Sequence, residues 1–297
     1  MLRNLFGPPF LRKNVFILRH IKHEIMANRF FSKTVFLVTC IVVVYGCAPK
    51  PYASTNKSYK KQAKQFAETL KSLPDNIPVD SVANAPYWAG TTNFSMRKPN
   101  FVIIHHTAQN SCDQTLKTFT LPRTQVSAHY VICKDGTIHH MLNDYLRAWH
   151  AGAGKWGSLT DVNSSSIGIE LDNTGYDSFP AIQIKSLLVL LDTLQKRYSI
   201  PAANFIGHAD IAPTRKNDPN IFFPWKDLST HGFGQWYGDT TNVVVPEGFN
   251  YLQGLRLIGY DVKDTTAAIR AFKRHFEQDS IAVLNDADKK VIYMLSK

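Results

Sequence analysis

Long apolar runs, cysteine and low-complexity sequence are all scarce in this chain of 297 residues. Its four cysteines are too few to serve as the framework of a fold of this size, which can bury a sufficient core without disulfides or a structural metal. Any metal held here therefore has chemistry as its expected job. At 44% hydrophobic and 19% charged residues, with no low-complexity tract, the composition is that of an ordinary globular protein. No Gly-x-Ser-x-Gly or Ser-His-Asp pattern occurs, which disfavours a serine hydrolase. No RNA- or DNA-binding motif accompanies the formal charge of +11, and the charge is unevenly placed. Residues 1–46 hold seven Lys or Arg against one acid, so the rest carries only +5. Such a mildly basic surface suits anionic polymers without demanding them, and nucleic acid is not an expected partner.

The apolar stretch from Thr34 to Gly46 is thirteen residues long, short of the roughly 20 that span a bilayer. Arg29 and Lys33 precede it, as in a secretion signal. It ends in Val44-Tyr45-Gly46-Cys47, which resembles the lipobox of bacterial lipoproteins, although Tyr45 replaces the small residue usual there. The resemblance implies lipidation at Cys47 and a cell-envelope lipoprotein. Ala48, in place of an aspartate retention signal, implies the outer membrane facing the periplasm in a Gram-negative cell. An uncleaved N-terminal anchor is the alternative, and the signal could start at Met1 or Met26. Residues 47–84 are expected to be the lipid-anchor tether and an N-terminal segment, polar and Pro-containing up to about residue 60. Export would permit Cys112 and Cys133 to pair, and two unpaired structural cysteines are equally compatible.

Further along, residues 60–73 are predicted to form a short helix before Pro74 and Pro78. Phe101 to Ile104 is a buried-strand run, Tyr130–Cys133 and Thr137–Met141 flank the hairpin signal Lys134-Asp135-Gly136, and Ser166–Leu171 is another strand. Ile184, Leu187, Leu188 and Leu191 stripe one helix ahead of Pro201, and Asn204–Gly207 is a short strand. This alternation, starting near Asn100, implies an α/β fold, a mixed central sheet flanked by helices. Residues 246–297 change to three helical stripes, a small all-α module.

Eight of the eleven histidines lie between 105 and 231. His105 stands where a strand runs out, His208 ends another, and Asp218 follows ten residues later. Two imidazoles and a carboxylate suit one Zn²⁺ and leave a fourth position open, whereas a structural site would be closed by four ligands, often thiolates. No cysteine lies in these segments.

At these positions the chain resembles the amidase-2 family. The segments Ile103-Ile104-His105-His106-Thr107-Ala108, Ser127-Ala128-His129-Tyr130, Ala148-Trp149-His150-Ala151-Gly152, Ser166-Ile167-Gly168-Ile169-Glu170-Leu171 and Gly207-His208-Ala209-Asp210 through Lys216-Asn217-Asp218-Pro219 look like its successive motifs, in order. The resemblance covers about residues 85–240 as a zinc amidase domain and implies an N-acetylmuramoyl-L-alanine amidase acting on peptidoglycan and muropeptides, with zinc on His105, His208 and Asp218. It makes Glu170 the general acid–base and Lys216 the cation facing the oxyanion. Neighbours on a strand point to opposite faces, so only one of His105 and His106 can reach the ion; the family position favours His105, with His106 in a packing role. His129, Tyr130, Trp149, His150 and Asn163 are candidates for the substrate groove, and each could equally belong to the core.

Residues 246–297 resemble the three-helix peptidoglycan-binding modules of some wall hydrolases, through Leu255–Tyr260 and Ala267–Phe276. The alternative is a helical cap supporting the catalytic region. At the level of function, the competing reading is a non-catalytic peptidoglycan-binding or sensing protein, but such proteins lose a zinc ligand, and all three candidates stand here.

Overall fold

A computed structural model describes residues 50–72, 89, 91–96 and 98–297. The signal run 34–46 and Cys47 lie outside the described residues, as do the two candidate starts. The chain divides into two compact units, 1–89 and 90–297. None of the described helices is long and apolar enough to cross a membrane.

In the first unit, helix α1 runs from Ala53 to Lys71, seven residues earlier than the sequence suggested. The strong helix formers Lys, Gln, Ala and Glu lie mostly after residue 59, and the helix they support extends back through the polar stretch read as tether. None of its residues is buried.

The second unit is built on a five-stranded sheet: β1 (Phe101–His106), β2 (Tyr130–Ile132), β3 (Ile138–His140), β4 (Ser166–Leu171) and β5 (Phe205–Gly207), in the order β3-β2-β4-β1-β5. β1 runs parallel to β4 and β5, β2 runs parallel to β4, and only β3 is antiparallel. The expected mixed sheet is therefore present. Gly136 turns the β2–β3 hairpin at φ 86°, a conformation natural to glycine. Helix α2 (Cys112–Thr120), capped by Ser111, is joined to the end of β2 by a Cys112–Cys133 disulfide.

Side-chain alternation gives the two faces of the sheet different work. Val102, Ile104, Ile167, Ile169, Leu171 and Phe205 enter the main core. There they meet Ile184, Leu187, Leu191 and Leu194 of helix α3 (Ala181–Tyr198), the predicted stripe extended by one turn. The opposite face carries Ile103 and Ile206 in a smaller cluster. By the same alternation it carries His105 on β1 and Ser166, Gly168 and Glu170 on β4. His106 falls on the core side, where it is buried, in keeping with a packing role.

Helix α4 (His208–Ile211) follows β5 directly, and α5 (Trp225–Thr230) comes after the Asp218 loop. The C-terminal module comprises α6 (Tyr251–Ile258), α7 (Thr265–Phe276) and α8 (Asp286–Leu295), capped by Asn250, Asp264 and Asn285. Its core of Leu255, Tyr260, Ala268, Phe272, Phe276 and Ile292 takes in Trp156 and Trp236 from the sheet-bearing region. Residues 90–297 thus pack as one unit, with the module seated on the turns around α4 and α5.

Candidate metal centre

Two distant stretches of sequence, one with His105 and one with His208 and Asp218, 103 and 113 residues later, deliver three donor atoms to one point. The Nδ1 atoms of His105 and His208 are 2.9 Å apart, and each lies 3.0 Å from Oδ2 of Asp218. The sheet places His105 near the end of β1, and β5 feeds into α4 at His208. A backbone hydrogen bond from Ala209 N to the Asp218 carbonyl (2.7 Å) ties the Asp218 loop to that helix. All three side chains are buried.

This triangle is a poor hydrogen-bond arrangement and a good ligand set. If both imidazoles donate to Asp218, their two N–H groups crowd each other at 2.9 Å; if one does, the third contact is left without a proton of its own. A cation among them satisfies all three. Ligands about 2.0–2.1 Å from a tetrahedral Zn²⁺ stand roughly 3.3 Å apart, close to the spacing observed. Burial, reinforced by His208, lowers His105 to about 4, so its imidazole is neutral and fit to ligate at pH 7. Burial works to raise the Asp218 carboxyl, and the two facing histidines outweigh it, holding it well below the usual carboxylate range. The residues present therefore fit the expected ion.

Glu170 is paired in strand register with His105 and shares its face of the sheet. It is half-buried, and its Oε2 is enclosed without a hydrogen-bond partner. Burial, then the neighbouring Asp218, push its carboxyl up to about 8 against the pull of Lys216. Lys216 itself is exposed, and its charge also acts on His105.

The five groove candidates separate sharply. Trp149 is 52% exposed and remains available to a substrate. The other four are buried and bonded inward, the placement of the core alternative that the sequence left open for them. His129 bonds through Nε2 to the Leu146 carbonyl (2.9 Å) and through Nδ1 to the Gly168 N–H (3.1 Å). Tyr130 donates to Asp144 at 2.8 Å. Asn163 accepts from the backbone N–H groups of His150 (3.0 Å) and Ala151 (2.9 Å). His150 contacts His105 itself, Nδ1 to Nε2 at 3.1 Å, and burial holds its imidazole well below the ordinary value. Polar and aromatic side chains serve a groove or a scaffold equally well, and burial separates the two uses.

One participant escaped the sequence reading. Asp210 is buried two residues after His208, with Oδ2 accepting from Gly207 N (2.7 Å) and lying 2.8 Å from His275 Nδ1, while Oδ1 accepts from Tyr260 Oη (2.9 Å). His275 also stacks on Trp225, with ring centroids 4.0 Å apart. The C-terminal module thus grips the turn that presents the candidate ligand His208. The only sequence signal was a carboxylate inside the Gly-His-Ala-Asp segment.

The amidase-2 family, described as N-acetylmuramoyl-L-alanine amidase, matches residues 95–221. The chain is 33% identical over 223 residues to the N-acetylmuramoyl-L-alanine amidase AmiD of Escherichia coli K12, covering 64% of this chain and 79% of that one. It is 40% identical over 101 residues to the 1,6-anhydro-N-acetylmuramyl-L-alanine amidase AmpD of Citrobacter freundii, a match spanning 34% of this chain and about half (54%) of the relative. Among solved structures, AmiD in complex with the substrate anhydro-N-acetylmuramic acid-L-Ala-D-γ-Glu-L-Lys aligns with a TM-score of 0.61 at 29% identity, over 69% of this chain and 91% of that one. AmpDh3 of Pseudomonas aeruginosa, in complex with an anhydromuramic pentapeptide, aligns with a TM-score of 0.61 at 27% identity, over 72% and 97%.

Proposed function

The chain belongs to the amidase-2 family of N-acetylmuramoyl-L-alanine amidases, and we propose that it cleaves the amide between N-acetylmuramic acid and L-alanine in peptidoglycan fragments using one Zn²⁺. The observation that carries the zinc reading is the meeting of His105 Nδ1, His208 Nδ1 and Asp218 Oδ2 beside Glu170. When bound, the ion supplies Lewis-acid polarisation and water activation near neutral pH.

The chain's own residues account for the proton traffic. Water oxygen adds to the amide carbonyl carbon, the C–N bond breaks, and a proton must reach the departing nitrogen. Glu170 faces this space with an unpartnered oxygen and takes the proton from water, then gives it to the amine. A carboxyl raised toward neutrality suits both halves of that exchange, and a nearby cation lowers it again to the base form. Lys216 provides positive charge for the oxygen that becomes negative as the carbonyl carbon turns tetrahedral. Exposed Trp149 offers a flat apolar face to sugar or peptide.

Anhydro-muropeptides are the favoured substrate class within this reading, because both aligned amidase structures hold an anhydromuramic ligand. For the whole chain we propose an envelope lipoprotein anchored through Cys47, on the outer membrane facing the periplasm. The Cys112–Cys133 disulfide supports an oxidising compartment.

Digestion of purified sacculi and of anhydro-muropeptides, with mass spectrometry of the products, tests the function. The expected result is release of peptides beginning with L-alanine, abolished by a chelator and restored by Zn²⁺. Binding without any product would favour the non-catalytic reading, and chelator-resistant cleavage would overturn the metal.

A further inference from the structure

A second histidine stands behind the metal ligand, and its hydrogen bonds run in one direction only. His105 Nε2 is 3.1 Å from His150 Nδ1. His150 Nε2 is 3.2 Å from Ser166 Oγ, and Ser166 Oγ is 2.6 Å from the Val162 carbonyl oxygen. A carbonyl oxygen can only accept, so the Ser166 hydroxyl proton points to Val162. The Ser166 oxygen must then accept from His150, which puts the His150 proton on Nε2 and leaves a lone pair on Nδ1. His105 must donate to that lone pair from its own Nε2. Its Nδ1 is thereby left without a proton, facing His208 and Asp218 at 2.9 and 3.0 Å.

We infer that His150 is a positioning residue that, with Ser166 and the Val162 carbonyl, fixes the tautomer and ring orientation of His105 so that Nδ1 is ready for a metal ion. The inference rests on the proposed metal reading and assigns the part that His150 plays in it. The surroundings are built for the job. Asn163 clamps the backbone at His150 and Ala151. Gly168 lies on β4 where a Cβ would overlap the His150 ring, so only glycine leaves room for it. The Ser-Ile-Gly-Ile-Glu motif then has one coherent face. Ser166 ends the relay, Gly168 makes space for it, and Glu170 reaches the reacting groups.

The test uses the whole folded chain and two readouts that do not depend on turnover. Zinc affinity is measured by competition with a chromophoric chelator for wild type, His150→Leu and His150→Asn. Leucine removes the acceptor; the asparagine Oδ1 restores one near the position of Nδ1. The expected loss for His150→Leu is about 10–100-fold, typical when the outer partner of a metal-binding histidine is removed, with His150→Asn recovering most of it. Nitrogen-15 NMR of the zinc-loaded wild type should show both His105 and His150 protonated on Nε2. Wild-type-like affinity in His150→Leu, an equal loss in both variants, or a proton on His150 Nδ1 would each overturn the inference. If His150→Leu does not fold, the wild-type NMR decides alone. Wild type that takes up no zinc in the same titration would sink the metal reading and this inference with it, whereas normal uptake with unaffected variants would sink this inference only.

Discussion

His275 Nδ1 lies 2.8 Å from Oδ2 of Asp210, joining the C-terminal module to the turn that carries His208. Tyr260 secures the other oxygen of the same carboxylate. Replacing His275 with alanine removes one of these buried bonds and the ring stacked on Trp225. The expected cost is about 1–3 kcal/mol of stability, with weaker zinc binding because the Gly207–His208 turn loosens. Thermal unfolding with and without zinc checks this; an unchanged melting temperature and affinity would show that the module is only a passenger.

Gly168→Ala should act at a distance from the ligands. The added methyl meets the His150 ring, and either the ring or β4 must shift. Overpacking of this kind costs about 1–3 kcal/mol. Zinc affinity should fall with it, and combining the substitution with His150→Asn, which shrinks the obstructing side chain, should recover part of the loss in calorimetry.

Glu170→Gln should lower turnover by about 10²–10⁴-fold while the protein still takes up one zinc ion, as expected when an acid–base group is removed. Mass-spectrometric product assay and metal analysis measure the two quantities separately.

The same variant exposes a pH effect in metal-free protein. The Glu170 carboxyl lies at about 8 in the fold against an ordinary 4.5, so the native state holds the extra proton between those values. Wild type therefore loses stability as pH rises from 4.5 toward 8, relative to Glu170→Gln, by roughly 1–3 kcal/mol once partial solvent access is allowed for. His105 works the other way, adding stability as pH rises from about 4 to 6.5, and cancels in the comparison. Denaturant titrations at pH 5 and 8.5 should show the gap widening at the higher pH.

How much of this was legible in sequence depended on the range over which each feature is decided. Strand alternation is local, and it set His105 and His106 on opposite faces, as the sheet has them. The first and last motif segments carried the candidate ligands His105, His208 and Asp218 because each segment can be matched by its own residue types. Tyr130 and Asn163 stayed undecided between groove and core because a buried hydrogen bond and a solvent-facing contact call for the same chemistry. The Asp210–His275 bond was invisible since its partners are 65 positions apart and His275 sits inside an ordinary helical stripe. For Cys112 and Cys133 the sequence permitted pairing without deciding it; proximity of α2 to β2 decides it.

The disulfide itself should matter to stability. It closes a loop of 21 residues, and Cys112→Ser with Cys133→Ser should cost about 2–4 kcal/mol in equilibrium unfolding. Activity at low temperature should survive, since neither cysteine belongs to the site.

The most direct test of the account is anomalous diffraction at the zinc absorption edge from crystals of the zinc-loaded chain. The account predicts one strong peak bonded to Nδ1 of His105, Nδ1 of His208 and a carboxylate oxygen of Asp218, with Glu170 alongside. A peak elsewhere, coordination through His106, or no ordered metal between these three side chains would contradict it.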